Sequence, residues 1–369
     1  MKKMCIIPFL NEIIPVIMCP PDDYKISNVV AMQPFYWGET VSHITNRSHS
    51  GIIMTGDMNE GIQDSDLVVI CDIGSKQRIL NNKAYNPYRE FSHKAILAAL
   101  KCKKDIVCFM PLNDQEYTVY MRLAEDAGVC FTCQSNTVLT EESLIKHEKL
   151  NIPVVCIGEM IPGCDGYEIF LKLLKRLKKD SFHVVGISED IYNLLYRQIT
   201  LSFFNRRDME SNIKALSKFV YEIQNESAPD LIVVKLPTPM TAYDDTITFD
   251  FGTMAYMLMQ TFKPDYFIYC GLSGYWQSEF IENIESNFQY RFGSSISVFH
   301  FCNQLLDQTT EIKEKMSTIR IPDIQVAEEI EKVRQHVNYP VYNLLDAGDF
   351  ERFYSDLKYQ IFGLTFGVI

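Results

Sequence analysis

The sequence predicts an α/β protein of two Rossmann-like domains with mainly parallel sheets, the second resembling a degenerate P-loop NTPase fold. Three observations predict it. Short apolar runs alternate with amphipathic helical stretches along nearly the whole chain, which is the pattern of successive β-α-β units. The polar, charged stretch at 142–151 separates two such series and divides the chain into residues 1–150 and 151–369. The second series opens on strand, glycine loop and helix. That order puts the loop at the carboxyl end of a strand, where open α/β sheets bind ligands.

In the first domain, strands are expected at 4–9, 28–32, 51–55, 66–72, 105–110 and 129–131, all short and apolar. A helix over 88–101 turns Phe91, Ala95 and Leu100 inward. Pro111-Leu-Asn-Asp114 caps a helix that runs to Ala127, and Gly128 stops it. No G-x-G-x-x-G follows the first strand, so a dinucleotide site of the usual type is not expected. The segment Gln33-Pro-Phe-Tyr-Trp-Gly38, with His43, Arg47 and His49 after it, has two readings. Its aromatics fill the gap under a long loop, the favoured reading, or they form a recognition surface.

The second domain begins with a strand at 152–157. A loop with three glycines follows, Gly158-Glu159-Met-Ile-Pro-Gly163-Cys164-Asp165-Gly166. A phosphate-cradling loop reads G-x-x-x-x-G-K-[ST], where the Lys reaches the phosphates and the hydroxyl holds magnesium. Gly158 and Gly163 keep that spacing, but Cys164 and Asp165 stand where the Lys and Ser/Thr belong. Asp165 adds negative charge where a triphosphate would bring more, and it suits an N-cap that accepts from the first helical turn. A structural turn is therefore favoured over an anion site, and an anion site over a hydrolase.

The helix at 167–179 carries an apolar stripe of Ile169, Phe170, Leu173, Leu174 and Leu177. Its other face is basic, with Lys172, Lys175, Arg176, Lys178 and Lys179, which reads as a solvated face suited to the helix dipole. Further strands are expected at 182–187, 229–236, 266–270, 296–299 and 339–343. Helices are expected at 188–204, 208–224, 252–262, 278–288, after Pro322, and at 349–360. The strand at 229–236 ends Lys235-Leu236, where a hydrolase would carry a magnesium-binding acid. The loop at 237–250 is long and holds Asp244, Asp245 and Asp250. A second glycine loop, Gly271-Leu-Ser-Gly-Tyr-Trp276, follows the strand at 266–270. If a site exists, the loops at 158–166, 237–250 and 271–276 meet to form it at one edge. Its candidate cofactor-binding residues are Gly158, Glu159, Gly163, Cys164, Asp165, Gly166 and Asp250, with no cofactor identified.

Candidates for catalysis are few. The seven histidines are scattered, and no H-E-x-x-H or G-x-S-x-G occurs. Cys164 beside a helix N-terminus could have a depressed thiol pKa, opposed by Asp165. The eleven cysteines suit a reducing compartment, and the one C-x-x-C, Cys130 to Cys133, lacks a second pair for zinc. A net charge of −12 argues against a general nucleic-acid binder. No apolar stretch of membrane-spanning length occurs, and the N-terminal apolar run is cut short at Asn11-Glu12. A cytoplasmic protein is expected, with a homo-oligomer left open.

A set of short pieces spans nearly the whole chain. They are Ile7-Pro8-Phe9, Trp37-Gly38, Gly158-Glu159 with Tyr167-Glu168, Phe251-Gly252 with Ala255-Tyr256, Lys263-Pro264-Asp265, Tyr290-Arg291-Phe292-Gly293 and Pro340-Val341-Tyr342-Asn343. In these the chain resembles a bacterial family of peptide maturation system proteins. Members accompany radical SAM enzymes that modify small ribosomally made, bacteriocin-like peptides. The resemblance implies a cytoplasmic accessory that binds the precursor peptide or the radical SAM enzyme, and it implies no established reaction. The alternative is an enzyme that uses a nucleotide or phosphate ligand on a peptide, with Asp244, Asp245 or Asp250 holding magnesium.

Overall fold

The computed structural model describes residues 1–46, 51–72, 82–133, 137–138, 150–202, 209–242, 248–274, 276–307 and 318–363. The chain divides into two compact units, Met1–Asn136 with Leu194–Arg197, and Thr137–Asn193 with Gln198–Ile369. Among the described residues, no helix is long and apolar enough to cross a membrane.

The first unit is built on strands β1 (Lys2–Ile7), β2 (Tyr24–Val30), β3 (Met54–Thr55), β4 (Leu67–Ile70), β5 (Asp105–Cys108) and β6 (Phe131–Cys133). All neighbours pair in parallel, in the order β3-β2-β1-β4-β5-β6. That is the order of the dinucleotide-binding α/β fold, reached here without its glycine fingerprint. The helices are α1 (Ile14–Met18), α2 (Val41–Thr45), α3 (Met58–Gln63), α4 (Asn82–Lys101) and α5 (Asp114–Ala127). Helix α5 starts on a capping box between Asn113 and Glu116 and ends at Gly128 in the left-handed region. The core gathers Cys5, Ile7, Val30, Val68, Ile70, Ile96, Ala99 and Cys108 between sheet and helices.

The last strand of this unit is shifted from its expected place at 129–131 to 131–133, because the turn after Gly128 takes up Val129 and Cys130. Helix α4 begins before the expected residue 88 and carries Pro87 inside its first turns. As the sixth residue it lies past the first turn, so it leaves the carbonyl four residues earlier without its helical N–H donor.

In the second unit, strands β7 (Thr137–Val138), β8 (Val154–Glu159), β9 (Val184–Ser188), β10 (Ile199–Ser202), β11 (Leu231–Lys235), β12 (Tyr266–Gly271) and β13 (Val298–Phe301) are followed by the hairpin β14 (Gln304–Leu306) and β15 (Thr318–Arg320), then β16 (Val341–Tyr342). The main sheet runs β16-β13-β12-β8-β11-β9-β10-β7, all parallel, and the hairpin is antiparallel. The helices are α6 (Gly166–Lys179), α7 (Met209–Ser227), α8 (Thr253–Thr261), α9 (Ser278–Phe292), α10 (Asp323–Arg334) and α11 (Ala347–Phe362). Strand β8 is buried along its whole length and sits where the chain switches sides of the sheet. Its carboxyl end is therefore a topological switch point.

One expected helix, at 188–204, is instead a 3-10 turn at Ile191–Tyr196 followed by strand β10. Ile199-Thr-Leu201 is too short and too β-branched for a helix, and it pairs with β9. The Asn193 amide fastens the turn by donating to Ser188 Oγ (2.9 Å) and to the Ile199 carbonyl (2.7 Å).

Candidate functional site

Strand β8 delivers Glu159 to the carboxyl edge of its sheet, and the chain then turns through 160–165 into helix α6. Gly163 has a φ of +95° that L side chains rarely adopt, so a glycine is required there. Asp165 occupies the N-cap position in the left-handed region, φ 66°, and its side chain makes no cap bond. The expected capping by Asp165 is thus corrected. Glu159 Oε1 accepts from Gly166 N–H at 2.9 Å in its place. Gly166 permits this approach, since a Cβ there would come within 2.7 Å of the Glu159 side chain.

The Glu159 carboxylate is 4% exposed and is surrounded by donors. Thr238 Oγ1 donates to its Oε2 at 2.5 Å, and Lys235 Nζ, from the end of β11, lies 3.5 Å away. Lys235 is itself 5% exposed and also faces Asp190 Oδ2 at 3.3 Å. Burial opposes its charge, but Asp190, Glu159 and Glu189 outweigh burial and hold the ammonium above its ordinary value. The working parts of a phosphate cradle are therefore present with their chemistry exchanged. Helix N–H, hydroxyl and lysine converge on an anion, and that anion is a carboxylate of the chain.

Asp165 turns the other way, towards β13. Its Oδ2 lies 3.5 Å from Nε2 of His300, a fully buried side chain. The Leu344 N–H donates to His300 Nδ1 at 3.0 Å, which places the ring proton on Nε2, facing the carboxylate. Cys164 is also fully buried. Burial first, then the neighbouring Cys302 thiol, pushes its thiol well above the ordinary value. The thiol is not activated by the helix N-terminus, because desolvation of a thiolate outweighs a partial dipole charge.

Among the described residues, parts of the three loops come together, partly through residues of the hairpin β14–β15. Met240 N–H donates to the Glu159 carbonyl at 3.0 Å, and Gly158 lies against the Met240 side chain. Gln304 Nε2 donates to the Gly163 carbonyl, while the Gln304 carbonyl accepts from Ser273 N–H at 2.9 Å. The hairpin β14–β15 thus joins the loops at 158–166 and 271–276. Ser273 is buried and its hydroxyl donates to the Cys302 carbonyl at 2.7 Å, so it braces the fold. Asp250 is exposed, in a left-handed turn with Phe251 and Gly252, φ 55°, 54° and 64°. Asp244 and Asp245 lie outside the described residues.

Of the residues that matter here, Lys235 carried a signal in the sequence as a lone charge in an apolar strand. Asp190, Thr238, His300 and Gln304 carried none, because each acts through a neighbour distant in the chain. The basic face of α6 is not merely solvated. Lys172 Nζ donates to the Leu344 and Leu345 carbonyls at 3.0 and 3.1 Å, and Arg176 pairs with Glu351 of α11.

In the first unit the segment at 33–38 fits both of its readings in part. Trp37 Nε1 donates to the Ala31 carbonyl at 2.9 Å, yet Trp37 is 51% and Phe35 68% exposed. Arg47 and His49 lie outside the described residues. Among the described residues, no group of three or more His, Cys, Asp or Glu side chains is arranged to hold a metal ion.

Together these features define a two-unit α/β protein whose second unit sets a glycine loop at a strand's carboxyl end and holds its own Glu159 carboxylate on the N–H that opens the next helix. No family model and no curated protein sequence matches the chain. Among solved structures it is similar to a DUF1611 family protein from Anabaena variabilis ATCC 29413, with a TM-score of 0.60 at 11% identity. That likeness covers 97% of this chain and 100% of the other, and at such identity it shows the fold alone.

Proposed function

We propose that this protein is a non-hydrolysing cytoplasmic accessory of a ribosomal-peptide maturation system, binding the precursor peptide or its radical SAM enzyme. The observation that carries the non-hydrolysing part is the Glu159 carboxylate on the Gly166 N–H at 2.9 Å, with Lys235 beside it. A nucleotide phosphate entering that position would meet a buried carboxylate, and the ammonium that would neutralise it already faces Glu159 and Asp190. The peptide-maturation part is supported by the sequence resemblance, whose pieces include Gly158-Glu159 and Tyr167-Glu168 of this same loop and helix.

Two measurements test it. Purified full-length protein with ATP or GTP and magnesium should show no turnover above buffer and no shift in melting temperature. Steady hydrolysis abolished by Gly163→Val would overturn the first part. Co-expressed with a precursor peptide and a radical SAM enzyme of such a system, the tagged chain should retain one of them through purification. Retention of neither would overturn the second part.

A further inference from the structure

The strongest unassigned chemistry lies in the other unit, at the carboxyl edge of its sheet. Cys108 ends β5 and Cys133 ends β6, and the two are register partners on adjacent parallel strands. Register partners place their side chains on one face with Cα atoms about 4.8 Å apart, inside the roughly 4.4–6.8 Å span that a disulfide bridges. We infer that Cys133 and Cys108 form a peroxide-oxidisable thiol pair, with Cys133 attacked first and Cys108 resolving it. This goes beyond the function proposed above and does not depend on the Glu159 cradle.

The two sulfurs are placed unequally. Cys108 is fully buried, whereas Cys133 is half-buried and opens towards solvent. The neighbouring Cys108 thiol and the Leu112 N–H hold the Cys133 thiol below its ordinary value, against the effect of burial. The same contact, and then burial, push Cys108 up. A thiolate is the nucleophile in such chemistry, so attack falls on the accessible sulfur that loses its proton more readily.

The C-x-x-C spacing points to Cys130 as the partner, and the geometry rejects it. Cys130 N–H donates to Asp105 Oδ1 at 3.0 Å, at the starting end of β5. Cys133 stands three residues on, beside the finishing end of β5, which along a strand is about 10 Å away.

The steps balance. The Cys133 thiolate attacks one oxygen of hydrogen peroxide, the O–O bond breaks and hydroxide leaves, giving a sulfenic acid. The Cys108 sulfur then attacks the Cys133 sulfur. The S–O bond breaks, the thiol proton leaves with that oxygen as water, and a disulfide forms. Each disulfide consumes one peroxide.

The test treats reduced full-length protein with substoichiometric hydrogen peroxide and maps its peptides without reduction. The expected result is one linked pair holding Cys108 and Cys133, with two thiols lost per peroxide consumed and regained with dithiothreitol. Cys108→Ser should leave a Cys133 sulfenic acid that dimedone traps, and Cys133→Ser should leave Cys108 unmodified. The wild-type map decides the matter even if a variant misfolds. First oxidation at Cys130, or a link from Cys133 to any other cysteine, would overturn the pair.

Discussion

The carboxyl edges of the two parallel sheets solve opposite problems. In the second unit the edge is closed. The buried Lys235 ammonium lies between the buried Glu159 carboxylate and the half-buried Asp190 carboxylate, and Gln304 ties the glycine loop to the hairpin. In the first unit the edge stays open, with Cys133 half-buried and Phe35 and Trp37 exposed. A parallel sheet gathers its strand ends at one edge in both units. What differs among the described residues is how far the side chains there are covered. Glu159 and Lys235 are buried, whereas Phe35 and Trp37 stand exposed and offer a surface for contact.

The comparison breaks first if the closed edge is not held by charge. Lys235→Met should leave the buried Glu159 carboxylate without its ammonium and cost about 3–5 kcal/mol in urea unfolding. A loss below about 1 kcal/mol would show that the network is not what holds that edge. Next is Gly166→Ala, whose added Cβ would press on Glu159. Overpacking of that kind costs roughly 1–3 kcal/mol, whereas Ala in a helix is otherwise the better residue. A stabilised variant would mean that Glu159 does not sit on the helix N-terminus.

A third test sharpens the comparison within the second unit, at Asp180 where α6 meets α11. Burial raises its carboxyl pKa, but Lys358, Tyr354 and Arg176 outweigh burial and hold it below the ordinary value. A depressed folded-state pKa gives stability that is present above the unfolded value and lost as pH falls through the folded one. Stability should therefore drop below about pH 4, and Asp180→Asn should flatten that drop while costing on the order of 1 kcal/mol at neutral pH. An unchanged acid profile would remove Asp180 from the account. The smallest effect belongs to the open edge. Phe35→Ala should change stability by less than about 0.5 kcal/mol, because the ring is already in water. A larger loss would show that the first unit's edge is packed after all.

Much of the frame was legible in the sequence. Strand 154–159 and helix 166–179 fall within two residues of their expected bounds, since apolar runs and helical periodicity are local signals. Gly128 stops its helix as expected. The stretch at 188–204 departs from expectation because a polar run without clear period gives no sign that Ile199 and Thr200 will find a strand to join. At Asp165 the reason is different. The cap comes from Glu159, seven residues before the Gly166 N–H that it accepts from, and the Asp165 carboxylate, on a left-handed backbone, faces His300.

By itself the sequence determined most of the alternation of strands and helices, with 188–204 the exception, as well as the place of the glycine loop and the loss of the lysine that follows it in a P-loop. These depend on neighbours a few residues apart. Only the tertiary structure decided which charge faces which. Setting β11 beside β8 brings Lys235 to Glu159, and setting β6 beside β5 brings Cys133 to Cys108. Strand order is chosen by burial of the whole sheet, and that choice is invisible in any one segment.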